Sequence, residues 1–167
     1  MRRRGNAPCG PSAACLAGPG TGKVPQVPDA IPFQLDVGFD HLYGLRVTEV
    51  GDGSMRGSVA VRDAIKQPAG LVHGGIYAAV AESLATTGTA LAVIGNGNTA
   101  LGLSNQTSFL RPVTGGEVHA WARARHRGRT TWVWEVDFTD DSDRLCALSR
   151  ITVAVRPAPP GTPSSLG

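Results

Sequence analysis

The 167-residue chain is poor in several features that would otherwise direct its reading. It holds three cysteines, Cys9, Cys15 and Cys146, odd in number, widely spaced and without a metal-ligand pattern. Such usage fits a reducing intracellular setting, so a cytoplasmic location is expected. No apolar run approaches the ~20 residues of a membrane span, and no membrane partner is expected. No G-x-S-x-G string occurs, which removes the serine nucleophile of a strand-to-helix elbow. Acids are missing from the first 28 residues, Asp29 being the first. The net charge of +3 counts Arg2, Arg3 and Arg4 in that acid-free stretch. The remaining excess is too small to argue for nucleic acid.

What is present divides by composition. Residues 1–30 are rich in Gly, Pro and Ala and read as a disordered N-terminal extension. The apolar string Ala13-Ala14-Cys15-Leu16-Ala17 is too short and too broken for a signal peptide. A transit peptide is the alternative that the missing acids leave open. Residues 157–167 read as a flexible tail, which leaves 31–156 as one domain with enough chain for a core.

One long helical pattern organises that domain, within Gln67 to Ile94. Ile76, Val80, Leu84, Leu91 and Ile94 recur at spacings of four, four, seven and three, the period of a helix. A second stripe runs through Ala78, Glu82, Thr86 and Thr89. An acid followed one turn later by a hydroxyl, on a helix otherwise mostly Ala, Val and Leu, is expected to be partly buried. A carboxylate so placed needs a partner or a function. His73-Gly74-Gly75 leads into the periodic run. Glycines at a helix N-terminus let backbone N–H groups approach a ligand where the helix dipole favours negative charge, the chemistry of an oxyanion hole. Gly74 and Glu82 are eight positions apart, roughly 12 Å along a helix. Both would have to lie within about 3 Å of the reacting atoms. One helix cannot supply both to one carbonyl, so a shared site needs two antiparallel copies across a two-fold axis.

Around the helix the pattern is that of strands. Leu45 to Val50 and Met55 to Val61, separated by Gly51-Asp52-Gly53-Ser54, read as a hairpin. Gly95-Asn96-Gly97-Asn98 stops the helix ahead of a strand at about Ala100 to Leu110. Glu117 to Arg127 alternates Val118, Ala120, Ala122 and Ala124 with larger polar and aromatic residues, and its alanines would let the helix sit close. Thr131 to Thr139 and Leu145 to Val155 complete the set, joined by Asp140-Asp141-Ser142-Asp143, and Phe33 to Gly44 is expected to hold a short helix or turn. Strands joined mostly by short turns, with one long helix after the second, predict an α+β fold in which an antiparallel sheet wraps one long central helix. A lone sheet of this size leaves an edge to manage, so pairing with a second copy is expected.

Gln67, His73-Gly74, Glu82 and Thr86 together resemble the active-site pattern of the hotdog-fold acyl-CoA thioesterases, in the subgroup typified by the Arthrobacter-type 4-hydroxybenzoyl-CoA thioesterase. The string Lys66 to Gly75, with Arg144-Leu145-Cys146 and Ser149-Arg150, also resembles the 1,4-dihydroxy-2-naphthoyl-CoA thioesterases, and the phenylacetate-pathway enzymes belong to the same group. The likeness spans about residues 33–156 and implies a hotdog fold. It further implies hydrolysis of an acyl-CoA thioester with no metal or redox cofactor, by a homodimer assembled as a dimer of dimers. Glu82 would be nucleophile or general base, and Thr86 would hold the carboxylate or a water. The Gly74 N–H would be the oxyanion donor, with Gln67 and His73 flanking. The resemblance places coenzyme A along Gly102, Phe109, Leu110, Arg111 and Pro112 and along the basic turn His126, Arg127, Gly128, Arg129, Thr130 and Thr131. Its phosphates need cations and free N–H groups there.

For the acyl group, dihydroxynaphthoyl comes first and hydroxybenzoyl or phenylacetyl next. A broad medium-chain thioesterase and a non-catalytic acyl-CoA binding or sensing protein are the alternatives. A hydratase of the same fold is disfavoured, because no separate Asp/His pair accompanies the motif.

Overall fold

The computed structural model describes residues 38–159, so the expected N-terminal extension and most of the expected tail lie outside the described residues. The chain enters through a short helix α1 (Gly38–Tyr43), turns at Gly44 and runs into the hairpin β1 (Leu45–Gly51) and β2 (Ser54–Ala60). Gly53 adopts φ 74° in the turn, a conformation open to glycine because it lacks Cβ. A single 3-10 turn (Asp63–Ile65) leads to the long helix α2 (Gly74–Val93). Four strands follow: β3 (Asn98–Phe109), β4 (Glu117–Arg127), β5 (Thr131–Thr139) and β6 (Leu145–Pro157). All pairings are antiparallel, and the order across the sheet is β1-β2-β4-β5-β6-β3. This is the expected sheet on one central helix.

Alternation decides which face meets the helix. Along β5, Trp132, Trp134, Val136 and Phe138 are buried and their neighbours half-buried, the period of a strand covered on one side. On β4, Val118, Ala120 and Ala122 are buried against the same layer. Close approach of helix and sheet needs a small residue at Gly88. A Cβ on Gly88 of α2 would fall 2.8 Å from the Trp134 ring and 2.9 Å from Met55. The Trp134 indole N–H donates to the Thr89 hydroxyl at 2.9 Å, and that hydroxyl donates to the Ala85 carbonyl at 2.8 Å. A buried bond of this kind is worth about 1 kcal/mol net, and more if one partner is removed and the other stranded.

Two features of the helix differ from the sequence pattern. Its buried stripe is Tyr77, Val80, Ala81, Leu84, Ala85 and Thr89, with Ile76 only half-buried. Thr89 therefore belongs to the core face and not to a stripe with Glu82. Glu82 is exposed in the chain, against the expectation of partial burial, because it stands beside β3 at the open edge of the sheet. The segment Gly74–Asn96 has the length and apolar composition of a membrane span although no unbroken run announces one. Its packing is that of the core helix inside the sheet.

Candidate active site

The approach to α2 is a tight loop. The Gln67 N–H bonds the Leu71 carbonyl at 2.9 Å, the Gly70 N–H returns to the Gln67 carbonyl at 2.8 Å, and the His73 N–H bonds the Ile65 carbonyl at 2.9 Å. His73 caps the helix, its Nδ1 accepting from the Gly75 N–H at 2.9 Å. An accepting Nδ1 leaves the ring proton of the neutral imidazole on Nε2. The Gly74 N–H has no acceptor among the described residues, and it sits at the positive end of the helix. A Cβ at this point would lie 2.7 Å from the ring of Phe109, so a larger residue would have to displace that ring.

Gln67, His73, Gly74, Phe109, Leu110, Arg111 and Pro112 line one cleft of about 360 Å³. Seven of the predicted residues thus come together, although β3 and the loop before α2 are some forty positions apart. Leu110 and Arg111 are fixed there by backbone bonds from both N–H groups to the Cys146 carbonyl, at 2.8 and 3.0 Å.

Glu82 opens elsewhere. Its carboxylate lies against Gly102, where an added Cβ would come within 2.8 Å of Oε1, and it shares a cleft of about 210 Å³ with Gly102, Leu103, Ser104 and Asn105. Thr86 bonds neither Glu82 nor its own backbone: its hydroxyl oxygen is buried without a hydrogen-bond partner. Gly102, grouped with coenzyme A by resemblance, stands beside the carboxylate.

The basic turn is separate again. Leu101 of β3 pairs with Ala154, which pairs with Thr131, whereas Phe109 pairs with Ala147 at the other end of β6. Eight strand steps, about 27 Å, divide the two positions along β3. Arg111 and Pro112 therefore stand at one end of the sheet and His126 to Thr131 at the other, so a single chain does not assemble the expected phosphate site. Within the turn, Arg127 pairs with Asp52 at 2.7 Å and lies 4.6 Å from the centre of the Trp132 ring. The Gly128 N–H bonds the Thr131 carbonyl at 3.0 Å, and the Thr130 carbonyl accepts from the Val155 N–H and from Arg156. His126 and Arg129 are exposed, and Arg129 makes no ion pair among the described residues.

Two groups escaped the sequence reading. Tyr77 lines the Gly74 cleft, one turn into the helix. Burial pushes its phenol up to about 12, and the hydroxyl has no partner. Only its position three residues after Gly74 could have signalled it. Beside Glu82, the Asp40 carboxylate accepts from the Tyr43 phenol at 2.6 Å and from the Ser83 hydroxyl at 2.7 Å, and burial chiefly raises the Tyr43 phenol well above its usual range. No spacing reveals a contact between residues forty positions apart.

A helix N-terminus with a free N–H and a carboxylate two turns later, on a helix wrapped by one antiparallel sheet, matches a known group of proteins. The thioesterase superfamily profile matches residues 69–147. The Mycobacterium tuberculosis protein Rv1847 is 38% identical over 72% of this chain and 87% of its own length. The chain belongs to the thioesterase superfamily. The solved Pseudomonas aeruginosa thioesterase PA1618 superposes with a TM-score of 0.71 at 34% identity, over 74% of this chain and 88% of that one. The 1,4-dihydroxy-2-naphthoyl-CoA hydrolase of Escherichia coli is 31% identical over 72% of this chain and 82% of its length. The protein is thus a thioester hydrolase of the hotdog fold.

Proposed function

We propose that this thioesterase hydrolyses an aromatic acyl-CoA, 1,4-dihydroxy-2-naphthoyl-CoA before hydroxybenzoyl- or phenylacetyl-CoA, in a site shared by two copies of the chain. The observation that carries the reading is the way the motif is split. Gly74 abuts Phe109 and Glu82 abuts Gly102, on opposite halves of the edge strand β3. That strand is unpaired along its outer side among the described residues, and Leu101, Leu103, Phe109 and Leu110 are each more than half exposed. Pairing two such edges antiparallel about a two-fold sets the Phe109 half of one copy against the Gly102 half of the other. The Gly74 N–H of one copy then faces the Glu82 carboxylate of its partner, and Arg111 of one faces the basic turn of the other. The same operation covers the exposed leucines, which a lone edge would leave in water. Two such dimers associate as a tetramer.

In this site the Gly74 N–H stabilises the oxyanion as the thioester carbonyl is attacked. Glu82 either takes a proton from the water that adds to the carbonyl, or adds itself to form an anhydride that water then hydrolyses. The sulfur leaves with a proton as free coenzyme A, and the acyl group leaves as a carboxylate. Exposed Arg129 and Arg111 are placed to meet phosphates. The aromatic preference is supported by relatives from Escherichia coli and Listeria monocytogenes, each named a 1,4-dihydroxy-2-naphthoyl-CoA hydrolase.

The test is a panel of aromatic and medium-chain acyl-CoA thioesters with a thiol-release readout, run on the parent and on Glu82→Gln. The aromatic thioesters should give the highest kcat/KM. Glu82→Gln should lower kcat by ~10²–10⁴-fold with binding within a few fold of the parent. Parental turnover in Glu82→Gln rejects the mechanism, and a medium-chain preference rejects the substrate assignment.

A further inference from the structure

A line of polar side chains crosses from β6 through β3 to the helix turn that carries Glu82. The Asn105 amide Nδ2 donates to the Ala78 carbonyl at 2.8 Å. The Thr107 hydroxyl donates to Asn105 Oδ1 at 2.9 Å and lies 2.7 Å from the Ser149 hydroxyl. The proton directions follow from these partners. Asn105 Oδ1 only accepts, so it takes the single proton of Thr107, and Ser149 must donate to Thr107. The chain therefore runs one way, Ser149 to Thr107 to Asn105 to the Ala78 carbonyl. Ser149, its origin, is 2% exposed and anchored in the sheet.

Its end point is informative. In an α-helix the carbonyl of residue 78 accepts the N–H of residue 82. The acceptor that the helix assigns to the Glu82 backbone is thus also held by the edge strand. Asn105 lines the small cleft of the Glu82 carboxylate together with Gly102, and the ladder between them shifts register at Gly102/Ser104. β3 therefore meets the Glu82 turn at two points, leaving room at Gly102 and tying the backbone at Asn105.

We propose that Asn105, oriented by Thr107 and Ser149, is a positioning residue that sets the Glu82 carboxylate against the β3 edge. This rests on the proposed role of Glu82 in hydrolysis. The chain gives the carboxylate a fixed place without touching substrate, so its loss should lower kcat while KM changes little.

The discriminating variant is Asn105→Asp, which keeps the shape and the acceptor for Thr107 but replaces the amide donor facing the Ala78 carbonyl. Asn105→Asp and Asn105→Ala should each lower kcat about 5- to 30-fold with KM within twofold. Thr107→Val should give a smaller loss in the same direction, and Thr107→Ser, which retains the hydroxyl, should restore parental kcat. Adding Asn105→Ala to Glu82→Gln should cost nothing further, because the group being positioned is already disabled. Equal losses in kcat and KM, a full additive loss in the double variant, or no difference between Thr107→Val and Thr107→Ser would overturn the proposal. Hydrogen exchange of the Glu82 amide provides a reading independent of turnover and should quicken several-fold in Asn105→Ala. Unchanged exchange would overturn the positioning chain even in an active enzyme. A parent inactive on every thioester, with exchange quickened in the variant, would instead refute the hydrolytic role and leave the tether standing.

Discussion

Gly102→Ala separates the placement of Glu82 from the stability of the fold. Gly102 is extended and exposed on the edge strand, so alanine meets no backbone strain there. By restricting the unfolded chain it should stabilise by about 0.4–1 kcal/mol. The added Cβ, however, would stand 2.8 Å from Glu82 Oε1 and 3.4 Å from its Cγ and Cδ. Ordinary contact begins near 3.4 Å, so the carboxylate oxygen must retreat by about 0.6 Å. A misplacement of 1 Å at a reacting group can cost ~10²-fold, which scales to roughly tenfold here. The variant should therefore show an unfolding midpoint in urea at or above the parental value, together with a roughly tenfold lower kcat in the thiol-release assay. Parental kcat in a folded Gly102→Ala protein would show that the carboxylate does not act from its place beside β3. A fall in midpoint alongside kcat would show that the residue serves folding.

Three further outcomes follow from the same geometry. Mixed dimers of Glu82→Ala chains and Gly74→Ala chains should regain hydrolysis, since some pairs contain one intact site; no recovery in verified heterodimers would refute the shared site. Arg129→Ala should raise KM for a CoA thioester with kcat less affected, and should barely alter a pantetheine thioester that lacks the nucleotide; equal effects on both would make the turn structural. Asp140 accepts from Arg144 Nε at 2.8 Å and from the Arg144 and Ser142 N–H groups, and the Arg144 bond chiefly lowers its carboxyl to about 2 from 3.8. A depressed carboxyl stabilises the fold above its unfolded value and loses that contribution as pH falls through the folded one. Stability should therefore rise with pH between about 2 and 4 in the parent, and this part of the slope should vanish in Asp140→Asn in acid titrations followed by circular dichroism.

Legibility in the sequence followed the range of the interaction concerned. Strand periodicity is local, and the bounds of β4 and β5 could be read directly from Val118-Ala120-Ala122 and from Trp132-Trp134-Val136-Phe138. The helix start was legible at His73-Gly74 because capping and the glycine approach involve neighbours in the chain. The face of the helix was less so. Tyr77 displaced Ile76 from the core and Thr89 joined it because Trp134, 45 positions away, needs a hydroxyl for its indole. The sequence by itself determined the element order, the family motif and the 12 Å gap that forbids one helix from completing the site. Only the tertiary structure decided that Gly102 clears room for Glu82, that Asn105 ties its turn to the sheet, and that Arg111 and the basic turn stand at opposite ends of one chain. Those facts depend on strand register and on the approach of helix to edge strand. Both are set by packing among residues distant in sequence, which spacing along a chain does not encode.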